Sequence, residues 1–545
     1  MKYKVGFGLI FISMALLFYS FSKQVSSYFE LTKNLEIFSN VYKEVNANYM
    51  EELDHGFLMK KGIDAMLETL DPYTVFISEN QVERSRYMAE GRYDGVGMEI
   101  DQIDGDITVT FVYSDFGAHE VGIMAGDVIE KIEGRSLRGF DKEDVTVFMR
   151  GASGTRLNME IYRPVEDKRF NVDVERQDVS VPNVPYSGMV DNGIAYVALS
   201  TFTPMSALNI LNKLKELKEE HGEFKGIVLD LRNNGGGLLS EAINVSNLFL
   251  PGDKLVVSTK GKLEEWNRTF ETRGSAFDLE VPLVVLINDK SASASEIVSG
   301  VMQDYDRGVL IGRRTYGKGL VQNVRTLSYN TQMRITTSEY FIPSGRGIQN
   351  VKYEDGKPVS IPDSLRGVFH TGNGREVLDG GGVAPDIEIK EPPVPEVIVA
   401  LEEQHLLFKY ATEYRSKKDS IAEPGAYSFD QYSDFIAFVE KHNFEFELES
   451  EQLLDDLIHS AEAGLYSKDI EPQIERIRNS LDKKKASALM DHREAITRLL
   501  EEEIVSRYYF EKGKTRQNLL KGPEIQEAIR LLNNEKRYHS ILEGE

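Results

Sequence analysis

Residues Lys225–Leu239, Lys-Gly-Ile-Val-Leu-Asp-Leu-Arg-Asn-Asn-Gly-Gly-Gly-Leu-Leu, run an apolar strand directly into a glycine-rich turn and then a helix. Few architectures accept such a segment, and its surroundings narrow the choice. Ile194–Leu199 reads as a strand, Ser206–Glu220 as a helix, Gly226–Leu231 as a buried strand and Leu238–Phe249 as a second helix. Leu283–Ile287 and a helix starting at Ser295–Met302 continue the alternation. Strands alternating with helices predict an α/β layer fold over residues 178–390.

The rest of the 545-residue chain has a different texture, and its length predicts three or four domains. Lys2 and Lys4 precede an apolar run from Val5 to Phe21, followed by small residues such as Ser22, so residues 1–22 read as a signal peptide or a membrane anchor. That reading expects the remainder to be exported, to the periplasm or the outer face of the cytoplasmic membrane. Residues 30–90 form an N-terminal helical segment, with Leu35, Phe38, Val41, Tyr42 and Val45 at helical spacing and a stop at Asp71-Pro72. Residues 91–177 show short β runs at Val96–Ile100, Ile107–Val112, Asp127–Ile132 and Leu157–Tyr162, with a short helix at Lys142–Met149. A stiff Pro-rich linker near 391–395 leads to a helical domain over 396–545, whose stripe Ile470, Ile474, Ile477 and Leu481 suits packing or partner binding.

Charge and composition exclude several functions. The formal net charge of −24 repels phosphate backbones, which argues against nucleic acid as a partner. With no Cys there is no disulfide, thiolate metal site or cysteine nucleophile, and the nine His form no ligand pair, so neither metal nor cofactor is expected. The run Gly312–Gly319 imitates a phosphate loop up to Lys318, but Gly319 stands where the magnesium-binding Ser or Thr belongs. The turn at Gly235–Gly237 likewise fails the dinucleotide fingerprint, because Ser240 occupies the last glycine position.

Asn288-Asp-Lys-Ser-Ala-Ser-Ala-Ser-Glu-Ile297 follows the strand Leu283–Ile287 directly. Ser291 or Ser293 can serve there as a helix cap with Glu296, and the same junction can expose a nucleophile at the top of a sheet. No His lies near, so a serine nucleophile needs another base, and Lys318 is the candidate. An ordinary lysine, with a pKa near 10.4, offers a free lone pair in only about one molecule in 2,500 at pH 7. Burial lowering that value by about 3 units would make the amine a working base. Gln322, four residues on, can orient the amine without adding a charge that would hold the proton.

Taken in order, DLRNNGGGLL (230–239), SASASEI (291–297), TYGKGLVQ (315–322), FIPSGRGIQ (341–349) and GGGVAPDIEI (380–389) resemble the signatures of the carboxy-terminal processing, or tail-specific, proteases. The resemblance covers about residues 35–390. It implies a serine peptidase with a mixed-sheet α/β core, Ser293 as nucleophile, Lys318 as general base and Gln322 orienting it, with the Gly237 and Ala294 amides as the oxyanion hole. Tyr316 stands where the family commonly has Phe. Residues 91–177 resemble a PDZ domain inserted ahead of the core, with YDGVGMEI (93–100) at the carboxylate-binding loop and GIMAGDVIEKIEG (122–134) as its most recognisable run. In such a module the Gly95, Val96, Gly97 and Met98 backbone would hold the carboxylate of a substrate tail added as an edge strand. The expected partners are therefore unfolded or tail-exposed proteins; residues 396–545 are candidates for dimerisation or adaptor binding. Two rivals stand beside this reading: a non-catalytic PDZ scaffold, and a nucleotide-dependent enzyme using Gly312–Gly319.

Overall fold

Six strands build the sheet that the Lys225–Leu239 pattern calls for. Their order is Ser187–Asp191, Ile194–Ala198, Gly226–Asp230, Leu283–Ile287, Gly308–Gly312 and Ile387–Glu388, the first pair antiparallel and the others parallel. The computed structural model describes residues 28–79, 81–82, 92–390, 393–464 and 467–545. The N-terminal segment 1–22, expected to direct or anchor the chain, lies outside them, as do the first two residues of the linker at 391–395. No helix among the described residues is long and apolar enough to cross a membrane.

The three central strands are buried along their whole length, so both faces of the sheet need cover. Helices Ser206–His221, Leu239–Asn247 and Ala294–Asp304 cover one face, packing Ile210, Leu214, Val245, Ile297 and Val301 against Ile227, Leu229 and Val285. Cover for the other face comes from the far end of the chain. Helices Pro523–Leu532 and Glu535–Glu543 lay Ile525, Ala528, Leu531, Tyr538 and Leu542 on Tyr196, Val228, Val284, Leu286 and Ile311. Full burial of each Ile, Leu or Val among them contributes roughly 1.5–3 kcal/mol. The region expected to be a separate helical domain thus gives its last two helices to the α/β core. Its earlier helices pack around Tyr410, Phe435, Leu500 and Ile504.

A second sheet holds Val75–Ile77, Gln332–Phe341, Leu255–Gly261 and Arg268–Glu271, with Leu320–Thr326 also paired to Gln332–Phe341. Residues 92–180 form a satellite. Strands Arg92–Gly95 and Gln177–Ser180 pair as an antiparallel neck, and between them lies a sheet ordered Met98–Ile103, Asp106–Val112, Val128–Ile132, Arg156–Arg163 and Lys168–Glu175. Helix Lys142–Met149 is present as expected, its N-terminus capped by the Asp141 carboxylate accepting from the Asp144 amide. The strand expected from Val96 begins instead at Met98, because Gly97 turns at φ 77°. Residues 28–48 are helical as expected, yet Leu35, Phe38, Val41 and Val45 remain exposed.

Candidate active site

Strand Leu283–Ile287 and helix Ala294–Asp304 are joined by the turn 288–293, with Ser293 at the helix N-cap at φ 55° and ψ −110°. A side-chain-bearing residue held there costs of order 1–3 kcal/mol and persists only when its surroundings enforce it. Here the enforcement is visible. The Ser291 hydroxyl donates to Leu231 O at 2.8 Å and the Ser295 hydroxyl to Asn234 O at 2.8 Å, while the Ala292 amide also donates to Asn234 O. Asn288 and Asn233 exchange hydrogen bonds of 2.9 and 3.0 Å. Ser291 and Ser295 are fully buried and spent on this stitching, whereas Ser293 is partly exposed. Burial therefore singles out one of the three serines as able to meet a substrate.

The stitched partner is the glycine-rich turn. Asn234, fully buried, donates through Nδ2 to Leu199 O at 2.8 Å and accepts the Gly236 amide at 2.9 Å. Gly236 has φ 100°, and a Cβ there would stand 2.9 Å from Ser293 Cβ and 3.0 Å from the Ala294 nitrogen. The turn thus lies against the start of the helix. Gly237 follows at φ 143°, and among the described residues neither its amide nor that of Ala294 donates to a protein acceptor. Two unspent amides beside a helix N-terminus suit a developing negative charge.

Lys318 lies in the loop before strand Leu320–Thr326, and Glu296 ties that loop to Ser293. One oxygen of the buried Glu296 carboxylate accepts the Ser293 amide at 2.7 Å and the Lys318 amide at 2.8 Å; the other accepts the Gly317 amide at 2.7 Å and the Thr315 hydroxyl at 2.6 Å. The Ser293 and Lys318 amides therefore stand no further apart than twice a hydrogen-bond length. Tyr340 closes the other side, its hydroxyl in reach of the carbonyl oxygens of both Ser293 and Lys318. Burial pushes the Glu296 carboxyl above its ordinary range, against the pull of its four donors. In the run that imitates a phosphate loop, the amides of Arg313 and of residues 315–319 are occupied by protein oxygens, the Gly319 amide donating to Gln349 Oε1 at 2.7 Å.

The Lys318 amine rests over the Tyr73 ring, 4.7 Å from its centroid. Burial holds its pKa below the ordinary lysine value and the Arg334 guanidinium adds to this, whereas Glu296 and Asp71 oppose it. The aromatic face also favours the ammonium, by about 0.5–2 kcal/mol. Burial can move a lysine by 3 units or more, roughly 4 kcal/mol, and so outweighs the ring. Among the described residues no carboxylate bonds the amine, and it is not hydrogen-bonded to Ser293 or Gln322. Gln322 donates through Nε2 to Thr336 Oγ1 at 3.2 Å, which leaves its oxygen as the atom for an amine.

In the satellite, Met98–Ile103 is one of the two edge strands, and Lys142 Nζ of the neighbouring helix reaches Asp101 Oδ1 at 3.0 Å. The Val96 and Gly97 carbonyls accept from the Ala118 and Tyr113 amides at 2.8 and 3.0 Å. The carbonyls of Val96 and Gly97 are thus engaged, while the amides of the same two residues have no protein acceptor among the described residues. Gly97 could carry no side chain, since a Cβ would fall 2.3 Å from Phe116 Cβ.

Several residues around the site were not visible as such in the sequence: Asp71, Tyr73, Thr336 and Tyr340 come from distant segments. Asp71-Pro72 reads as a helix stop, and the strand pairing Val75↔Arg334 together with hydrogen bonds from Thr336 to Asp71 and Thr74 brings this segment to the lysine.

A strained serine beside two unspent amides, a half-buried lysine on the same carboxylate and an edge-strand module on a paired neck define a PDZ-bearing serine-type peptidase. Residues 193–356 match peptidase family S41, residues 85–162 the PDZ domain, and residues 397–532 the C-terminal helical domain of probable PDZ-proteases. A carboxy-terminal-processing protease of Bartonella bacilliformis is 33% identical over 344 residues, covering 63% of this chain and 79% of that protein. A probable CtpA-like serine protease of Staphylococcus aureus is 32% identical over 349 residues, covering 63% and 69%. Among solved structures, the photosystem II D1 C-terminal processing protease aligns over 66% of this chain and 94% of its own, at 24% identity and a TM-score of 0.36. The chain belongs to the carboxy-terminal-processing proteases of peptidase family S41.

Proposed function

We propose that this peptidase works through a Ser293–Lys318 dyad on proteins captured by their C-terminal tails. The neutral Lys318 amine takes the Ser293 hydroxyl proton as Oγ attacks the scissile carbonyl, and the Gly237 and Ala294 amides bind the oxyanion. The ammonium then returns that proton to the leaving amine, giving an acyl-enzyme. The same amine activates water, which releases the new C-terminus and restores the serine. Gln322 steers the amine through its side-chain oxygen. The observation that carries this reading is the shared Glu296 oxygen, which holds the partly exposed Ser293 and the half-buried Lys318 side by side.

Tail capture follows from the open edge of Met98–Ile103 and the amides of Gly95–Met98, which fit an extended peptide ending in a carboxylate. Export rests on Lys2, Lys4 and the apolar run Val5–Phe21, and places the enzyme in the periplasm or on the outer face of the cytoplasmic membrane. Dimerisation or adaptor docking through the helical domain remains part of the proposal. One experiment tests the core of it: cleavage of a single unfolded reporter carrying different C-terminal residues, by wild type and Ser293→Ala. Wild type should cleave with rates that follow the tail, and Ser293→Ala should not cleave. Tail-independent rates would overturn PDZ-directed capture, and cleavage by Ser293→Ala would overturn the nucleophile.

A further inference from the structure

We infer that Tyr73, contributed by the N-terminal segment, is a positioning residue for Lys318 whose ring forms the wall that keeps water from the amine. The inference rests on Lys318 as general base, and deepens that reading by adding a residue from ahead of residues 193–356, the stretch that matches the peptidase family.

The segment is fixed with respect to the lysine by two sets of bonds. Strand Val75–Ile77 adds antiparallel to Gln332–Phe341, setting Val75 opposite Arg334. Just before it, Asp71 Oδ1 accepts the Tyr73 and Thr74 amides, each at 2.9 Å, and the Thr336 hydroxyl at 3.2 Å. The Thr336 amide donates to Thr74 Oγ1 at 3.2 Å. Thr336 is also the residue paired with Gln322, in register and through its hydroxyl, so one network seats both Tyr73 and the side chain expected to steer the amine. The Tyr73 ring meets Tyr353 edge-on at 6.1 Å, which leaves its face to Lys318 Nζ at 4.7 Å.

The charges facing the amine come from three elements. Arg334, from strand Gln332–Phe341, disfavours the ammonium; Glu296, from helix Ala294–Asp304, and Asp71, from the same turn as Tyr73, favour it. With two carboxylates against one guanidinium, the charges alone do not account for an amine held below its ordinary value, and burial is the largest cause. Tyr73 is the aromatic surface lying directly on the nitrogen. Its removal admits water, raises the pKa and lowers the neutral fraction at pH 7.

The test is the pH profile of kcat/KM on one unfolded reporter for wild type, Tyr73→Phe, Tyr73→Ala and Tyr73→Gln, with Lys318→Ala as control. The acid limb, where the amine loses its proton, should move up by about one pH unit or more in Tyr73→Ala. Tyr73→Phe should keep the wild-type limb, since the ring and not the hydroxyl is the wall. Should Tyr73→Ala fail to fold, Tyr73→Gln, which fills the site with a polar chain, should give the same upward shift. An unshifted limb in a folded Tyr73→Ala or Tyr73→Gln, with Lys318→Ala inactive, overturns the role of Tyr73 and leaves the dyad standing. Activity retained by Lys318→Ala overturns both.

Discussion

Ser293 holds a backbone conformation that few residues adopt, and Lys318 keeps an amine where its charge is poorly solvated. Both features cost stability, which is the expected signature of a site shaped for chemistry. Lys318→Met, which keeps an unbranched apolar stem, should therefore abolish turnover while raising the melting temperature by about 2–4 °C at pH 6. The sign has a pH dependence. A lysine whose folded pKa is depressed binds fewer protons folded than unfolded between that value and its ordinary one, so stability there rises with pH. The penalty is full below the folded pKa and fades as pH approaches 10, so the advantage of Lys318→Met should shrink over that range in a melting series. Equal or lower melting temperatures at pH 6 would contradict the buried-charge account. The candidates Ser293 and Lys318 could be picked out of the sequence because Ser293 sits in a run of small residues at a strand–helix junction and Lys318 between two glycines. Tyr73 could not be, because 245 residues separate it from Lys318 and nothing local marks its ring.

The two turns that face each other, 231–238 and 288–293, act as one element despite lying 50 residues apart. Asn234 is the joint: its side chain bonds Leu199 O and the Gly236 amide, and its carbonyl accepts from Ala292 and Ser295. Asn234→Ala leaves the Leu199 carbonyl and the Gly236 amide unpaired, at a cost of about 1–3 kcal/mol. It also loosens the turn that presents the Gly237 amide. An amide that binds the oxyanion acts on the transition state, so kcat should fall by about ten- to a hundredfold with KM little changed. A rise in KM alone, in steady-state assays of the folded variant, would place the turn in ground-state binding instead. Long elements of the core could be read from periodicity, Leu283–Ile287 to the residue. The three-residue strand Val75–Ile77 could not, being too short for any pattern and dependent on its partner for existence. The exposed stripe of residues 35–45 shows the converse: helical spacing foretells a helix, not what covers it.

On the scale of the whole chain, the peptidase core is assembled from its beginning, middle and end. Strand Val75–Ile77 brings Tyr73 to the lysine, and the last two helices close the sheet that carries Asp230. Arg232, at the entrance to the glycine-rich turn, is held by Asp230 at 2.6 Å and by Glu524 of the penultimate helix at 3.0 Å. The satellite hangs on its paired neck yet also touches the helical region, through Lys409–Asp104 at 2.7 Å and the His119 ring against Phe510. Sequence order conceals such closure, because residues 523–543 look like any amphipathic tail until the uncovered sheet face is seen. On the proposed mechanism, this assembly serves one amine that gives up its proton more readily than an ordinary lysine, beside one hydroxyl. The most direct measurement is the rate at which a fluorophosphonate phosphonylates Ser293, with loss of fluoride, as a function of pH, in wild type, Lys318→Met and Ser293→Ala. The rate should rise with loss of a single proton at a midpoint below the ordinary lysine value, vanish in Ser293→Ala and lose that titration in Lys318→Met. A midpoint at the ordinary lysine value, or the same titration in Lys318→Met, would contradict it.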